Sequence, residues 1–268
     1  MAPKKYLGQH FLQCAWVSDA LLEAAHISIE DTILEIGPGM GALTRPLAAR
    51  AKKVIAIEKD EMLARSLKDM LTQEHISNVL VIAGDIRELF PHSLPLPDTY
   101  KVVANIPYYL TSYLLRLLLE SESKPRTIAL TIQKEVAERA CATAPHANLL
   151  GLSIQAYGTP QFIKVVPADC FMPKPKVDSA ILLISDISDI FFKDNRLTED
   201  AFFTFIRKAF SQKRKTLINT IASREEKERV KHIFKKLKIP PNIRPEAIPL
   251  RLWPRIISAI EEAREKHS

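Results

Sequence analysis

Leu34-Glu35-Ile36-Gly37-Pro38-Gly39-Met40-Gly41 carries a short apolar run directly into a turn that holds three of the chain's seven glycines. Without a Cβ, glycine lets the backbone turn sharply and pass close to a ligand. A glycine-rich turn between a buried strand and a helix is the general nucleoside-binding device of doubly wound α/β sheets, placed at the carboxyl ends of the strands. The spacing here is G-x-G-x-G, which disfavours the G-x-G-x-x-G fingerprint of dinucleotide sites.

Working outward from this turn, further apolar runs cover Thr32 to Ile36, Val54 to Ile57, Val79 to Ala83, Val102 to Ala104, Thr127 to Ile132, Gln161 to Val166 and Ala180 to Ile184. Continuous apolar runs are expected of strands buried on both faces, with amphipathic stretches such as Glu61 to Leu71 covering the sheet as helices. The last two runs are separated by a proline-rich loop instead of a helical stretch, so an antiparallel pair at the sheet edge is expected. Residues 186–195 read as a linker, which puts a domain boundary near residue 190: an α/β domain over 1–190 and a small all-α domain over 191–268. In the latter, Thr198 is the expected N-cap of a helix over Glu199 to Phe210. Further helices are expected over Thr216 to Ala222, Glu225 to Leu237 and Arg251 to Glu265.

Three further strand ends carry candidate chemistry. Glu58 lies 19 residues after Gly39, where an acid can accept from both ribose hydroxyls of a nucleoside. Gly84-Asp85 offers a second carboxylate, suited to an adenine amino group. Each acid alone reads equally as a strand-end turn residue; consecutive matches at strand ends point to a cofactor. The fourth strand leads into Asn105-Ile106-Pro107-Tyr108. The Asn105 side-chain oxygen and the Ile106 carbonyl can accept from an exocyclic NH2, with Pro107 stiffening the turn, and the Tyr108 ring offers a face on which a base stacks. A base inside a helix is unreachable, so its target must be unpaired or flipped and gripped on its faces. Phe171, in the loop Phe171-Met172-Pro173-Lys174-Pro175-Lys176-Val177-Asp178-Ser179, is the second candidate plate, although a core role is its commoner reading. Lys174 and Lys176 are candidate phosphate contacts.

Charge is unevenly distributed. Residues 1–190 hold 19 Lys and Arg against 21 Asp and Glu, and residues 191–268 hold 19 against 10, so the net +7 is concentrated in the last part. A concentrated positive field suits a polyanion such as RNA, though a solvated lysine-rich helical surface has the same composition. No apolar run approaches the roughly 20 residues that span a bilayer, and Met1-Ala2-Pro3-Lys4-Lys5 lacks the apolar core of a secretory signal. A cytoplasmic location and no membrane partner are expected. Cys14, Cys141 and Cys170 have no C-x-x-C spacing and are read as reduced, structural thiols. The seven histidines show no ligand spacing, so no metal site is expected.

The Glu-x-Gly-x-Gly-x-Gly pattern resembles motif I of the class I S-adenosylmethionine-dependent methyltransferases, whose sheet is Rossmann-like. Taken in order, Leu7-Gly8-Gln9-His10-Phe11-Leu12, the glycine motif, Glu58, Gly84-Asp85, Asn105-Ile106-Pro107-Tyr108, the Phe171 to Ser179 loop, Lys213-Arg214-Lys215-Thr216-Leu217 and Arg244-Pro245-Glu246 resemble the small-subunit ribosomal RNA adenine N6,N6-dimethyltransferases of the KsgA/RsmA type. The resemblance covers nearly the whole chain. It implies dimethylation of two adjacent adenosines in the 3′-terminal hairpin of 16S rRNA, within the 30S subunit or its precursor, with S-adenosylmethionine as cofactor; a monomer is expected. It also implies cofactor contacts from His10, Leu12, Gly37, Gly39, Glu58, Asp85 and Asn105; in the basic C-terminal part Lys213, Arg214 and Lys215 are the candidate RNA contacts, with a solvated helix start as the other reading. His10 stands where the family more usually has asparagine, and Gln13-Cys14 replaces a common acidic residue. Two other readings stay open at this point: a large-subunit rRNA adenine methyltransferase of the antibiotic-resistance type, and an assembly factor that keeps the fold without catalysis. Gly8 and the Arg244-Pro245-Glu246 segment favour the small-subunit enzyme.

Overall fold

A computed structural model describes residues 10–265. Leu7, Gly8 and Gln9 of the N-terminal motif lie outside the described residues. The strands are β1 (Phe11–Leu12), β2 (Thr32–Ile36), β3 (Lys53–Glu58), β4 (Val79–Ala83), β5 (Lys101–Asn105), β6 (Thr127–Gln133), β7 (Thr159–Val166), β8 (Phe171–Met172) and β9 (Ser179–Ser185). Seven of them form one sheet in the order β4-β3-β2-β5-β6-β9-β7. The first five neighbours run parallel; β9 is antiparallel to both β6 and β7. The expected antiparallel pair is therefore present, and β7 is the edge, where its exposed alternation and Pro160 are tolerated.

The seven apolar runs all became strands of this sheet. Ile33, Leu34, Val54, Ile55, Val102, Val103, Ile128 and Leu130 have essentially no exposed surface, because helices cover both faces. The helix Glu61–Gln73 shows how: Asp60 caps it by accepting from the Met62 N–H at 3.0 Å, and Leu63, Ala64, Leu67 and Leu71 form its buried stripe. From β2 the chain steps outward to β3 and β4, then returns to the other side of β2 for β5 and β6. The strand order reverses between β2 and β5, and the crevice beyond the carboxyl ends of such a pair is where open α/β sheets bind ligands.

The chain divides into two compact units, residues 1–138 with 158–187, and residues 139–157 with 188–268. A single cut at 190 misassigns residues 139–157, which include the helix Leu149–Gln155. Their partners explain the grouping: the Tyr157 hydroxyl donates to Glu199 at 2.6 Å, its ring stacks on Phe203, and the Ala147 N–H donates to the Glu246 carbonyl at 3.0 Å. The stretch 186–195 is also more than a linker. It contains the helix Ile190–Asp194, whose Phe192 is buried against Phe202, Phe203 and Tyr157. Polar flanks conceal this aromatic pair in the sequence, and burial of its rings decides the matter. The helix Glu199–Ala209 is capped by Thr198, which accepts from the Ala201 N–H at 3.2 Å. The helices Leu217–Ile221, Lys227–Lys236 and Trp253–Glu265 follow.

The cysteine expectation is corrected. Cys14 and Cys170 form a disulfide across 156 residues, with Cα atoms 5.1 Å apart, and Cys141 alone remains a free thiol. Spacing rules detect local motifs, and this pair is brought together by the antiparallel ladder of β1 on β8. Among the described residues no helix is long and apolar enough to cross a membrane, and no cluster of metal-ligating side chains occurs.

Candidate cofactor and nucleoside site

A single pocket opens at the β2/β5 reversal, and His10, Leu12, Gly37, Gly39, Glu58, Asp85, Asn105, Ile106, Pro107, Tyr108 and Phe171 all line it. Its floor is the glycine turn. Gly37 and Gly39 have φ of +69° and +56°, values that disfavour any side chain. A Cβ on Gly39 would also meet the Phe11 ring at 3.0 Å, so the N-terminal segment lies directly against the turn.

Glu58 closes β3 with only 5% of its surface exposed. One carboxylate oxygen accepts from the Gly39 N–H at 3.0 Å and the other from the Asp60 N–H at 2.9 Å. It therefore ties the glycine turn to the neighbouring strand, and each oxygen keeps a lone pair for another donor. Burial raises its pKa, against the pull of those two N–H groups.

Asp85 is more crowded than the sequence suggests. It caps the helix Ile86–Leu89 through the Arg87 N–H, the Arg87 guanidinium forks onto both its oxygens, and Lys59 Nζ lies 3.0 Å from Oδ2. The Arg87 fork, with Lys59 adding to it, holds this carboxyl far below the usual range. An adenine amino group reaching Asp85 must share it with these cations or displace one.

At the end of β5, Asn105 donates from Nδ2 to the His10 carbonyl at 3.0 Å. Only the NH2 side of the amide can donate, so this bond fixes which way the amide is turned and leaves Oδ1 available as an acceptor. The His10 ring stacks beside Tyr108, with centroids 5.6 Å apart, and Nδ1 bonds to the Pro173 carbonyl at 2.6 Å. The Tyr108 hydroxyl shares a 2.7 Å hydrogen bond with Ser179 on β9. Its ring is thus held at one end and half-buried. Phe171 lines the same pocket but is 3% exposed and packs into the core, so it is a wall and not a free plate.

Residues 2–262 match the family described as Ribosomal RNA adenine dimethylase. The chain belongs to this family. It is 37% identical over 253 residues to the Ribosomal RNA small subunit methyltransferase A of Dehalococcoides mccartyi, covering 93% of this chain and 86% of that one. To the protein of the same name from Fusobacterium nucleatum it is 34% identical over 261 residues, covering 96% and 97%. The crystal structure of a dimethyladenosine transferase from Plasmodium falciparum superposes with a TM-score of 0.80 at 26% identity, covering 96% and 98%.

The pocket of this rRNA adenine dimethylase is also lined by Glu35, Lys59 and Arg87, which no strand-end motif singles out. Glu35 was visible only as part of the glycine motif. It is 1% exposed, its Oε2 has no hydrogen-bond partner among the described residues, and burial pushes its pKa up to about 8, with the Thr44 hydroxyl opposing and the Glu58 charge adding. Lys59 and Arg87 sit beside the recognised acids, one and two residues along, and a search for partners of Asp85 would have found them. The basic candidates fall elsewhere. Lys174 is exposed and paired with Asp169, and Lys176 is exposed in the same loop. Lys213, Arg214 and Lys215 are exposed in the loop between the helices Glu199–Ala209 and Leu217–Ile221, in the second unit.

Proposed function

We propose that this rRNA adenine dimethylase uses S-adenosylmethionine to place two methyl groups on N6 of each of two adjacent adenosines in the 3′-terminal hairpin of 16S rRNA, acting in the cytoplasm as a monomer on the 30S subunit or its precursor. The observation that carries this reading is the convergence of Glu58, Asp85 and the Asn105-Ile106-Pro107-Tyr108 turn on one pocket at the strand-order reversal. The relatives' shared name supports the small-subunit substrate.

The pocket suits this cofactor chemically. A buried carboxylate beside a glycine cradle fits a ribose diol, and the orphaned Glu35 Oε2 fits a cationic amine. S-adenosylmethionine supplies an electrophilic methyl group on its sulfonium. Adenine N6 is a poor nucleophile because its lone pair is delocalised into the ring. Asn105 Oδ1 and the Ile106 carbonyl, accepting from the two N–H bonds, favour a pyramidal nitrogen whose lone pair is released. Tyr108, pinned by Ser179, holds the ring of the extruded base, with Phe171 as the apolar wall. The methylated nitrogen loses its proton readily, so no strong base is needed, and positioning with electrostatic complementarity provides the acceleration. Lys174, Lys176, Lys213, Arg214 and Lys215 supply phosphate contacts.

The test is transfer of labelled methyl groups to small-subunit particles lacking the dimethyladenosines, with large-subunit RNA alongside and nucleoside analysis of the product. Dimethyladenosine confined to the small subunit is expected. Label in the large-subunit RNA would transfer the chain to the resistance-type enzymes, and tight particle binding without transfer would make it an assembly factor.

A further inference from the structure

The turn that carries Tyr108 continues into the helix Thr111–Leu119, whose inner face buries Leu110, Thr111, Leu114, Leu115 and Leu118. Tyr109 in the turn and Tyr113 in the helix are left 59% and 47% exposed. Tyr109 lies in the 3-10 turn Tyr108–Leu110 that leads into the helix, and Tyr113 follows four residues on, in the helix's first turn. Tyr109 lines the nucleoside pocket, whereas Tyr113 lines a separate groove with Phe90, Arg116 and Glu120, so the two rings lead from one to the other. Tyr108 ties its hydroxyl to Ser179, but among the described residues no hydrogen bond holds the hydroxyl of Tyr109 or Tyr113. Arg87 completes the patch. It lines the same pocket as Tyr109, with its guanidinium held on Asp85.

We propose that Tyr109 and Tyr113, with Arg87 beside them, form a stacking subsite for the unpaired nucleotide next to the target adenosine. The proposal rests on the pocket being the site of adenosine methylation. When a base is drawn out of a stack, its neighbour loses one stacking face, and an exposed aromatic plate restores it without regard to base identity. A guanidinium at the same place suits both the π-face and the adjoining phosphate. Where two adjacent adenosines react in turn, this subsite holds the one that is waiting. Continuity with the nucleoside pocket, which Tyr109 lines, favours a nucleotide over a protein surface as occupant.

The experiment compares the full-length protein with the double variants Tyr109→Ala/Tyr113→Ala and Tyr109→Phe/Tyr113→Phe. Two probes are used: small-subunit particles lacking the dimethyladenosines, and an RNA hairpin with 2-aminopurine beside the target adenosine. The alanine pair is expected to weaken particle affinity by about tenfold or more and the phenylalanine pair by less than about twofold, since the phenylalanine rings keep their faces. Stacking on the ring should quench 2-aminopurine fluorescence in the wild type and the phenylalanine pair, and not in the alanine pair. Unchanged affinity and quenching in the alanine pair would overturn the proposal, as would a phenylalanine pair as weak as the alanine pair. Weakened particle binding with unchanged quenching would mean that the face meets a ribosomal protein, which also overturns it. Wild-type quenching and binding without methyl transfer would overturn the parent reading, and with it the assignment of the stacked base as the neighbour of a target adenosine.

Discussion

The side-chain amide of Asn105, at the carboxyl end of β5, donates to the main-chain carbonyl of His10, 95 residues earlier in the chain, at 3.0 Å. This bond couples the N-terminal segment to the turn proposed to hold the reacting nitrogen. β1 is itself paired with β8, so the segment reaches both the Asn105 side of the pocket and the Phe171 side. The orientation of the Asn105 amide thus depends on a segment that lines the same pocket.

Asn105→Ala removes both the acceptor and the tie to His10. We expect turnover to fall by roughly 100-fold or more, the scale of losing one preorganised polar contact to a transition state, with RNA affinity nearly unchanged. Single-turnover methyl transfer set against particle binding separates the two. Equal losses in both would assign Asn105 a structural role.

Glu58→Ala removes the partner of two backbone N–H groups together with the proposed ribose contact. Affinity for S-adenosylmethionine, measured by calorimetry, should drop by at least about tenfold, on a scale of one to three kcal/mol for each buried group left unpaired. An unchanged affinity would take Glu58 out of the cofactor site.

Glu35 gives the ligand-free protein a pH dependence of definite sign. Its carboxyl moves from 4.5 to about 8 on folding, so the folded state holds the proton more tightly. The stability linked to it is complete below the lower value and is lost as pH rises through the upper one. Glu58 is raised as well and acts in the same direction. Asp31, Glu74, Asp85 and Glu226 are lowered, so their contributions are lost in acid, below this window. Scanning calorimetry should show the wild type losing on the order of a few kcal/mol between about pH 5 and 8 and Glu35→Gln losing clearly less. Parallel pH profiles for the two proteins would dismiss Glu35 as the source.

The Cys14–Cys170 link is tested by alkylation under non-reducing conditions followed by mass spectrometry. Only Cys141 should label in the native chain. Cys14→Ser, by opening a long closed loop, should cost about 2–4 kcal/mol of stability under those conditions, and reductant should bring the wild type to the same level. Alkylation of all three cysteines before reduction would show that the bond does not form in solution.

Replacing Lys213, Arg214 and Lys215 together by alanine should weaken particle binding and flatten its salt dependence. Each lost phosphate contact lowers the log–log slope by about 0.7 to 0.9, so a fall of roughly two is expected if all three contribute. This test is cleaner than deleting residues 191–268, because residues 139–157 would lose their packing partners Phe203 and Glu199. An unchanged slope would make the loop a solvated surface.

Much of the fold and of the pocket is legible in the sequence because its signals are local. Runs such as Val54 to Ile57 report burial on both faces, and Gly37, Gly39, Glu58, Asp85 and Asn105 stand at strand ends, which a parallel sheet gathers on one edge. The short β1 and β8 were not legible, since two-residue strands carry no periodicity. Phe192 was hidden by the charged and polar residues around it.

The order of apolar runs and strand-end residues in the sequence therefore determined the sheet, the family and the strand-end residues Gly37, Gly39, Glu58, Asp85 and Asn105 that meet in the pocket. Only the tertiary structure decided their states: that Asp85 is already held by Arg87 and Lys59, that Glu35 is buried with one oxygen unpaired among the described residues, that Phe171 is a wall, that Cys14 reaches Cys170, and that residues 139–157 belong with the second unit. Burial and pairing at these places depend on contacts between segments far apart in the chain or on desolvation by the closed fold, and neither leaves a periodic trace in the residues themselves.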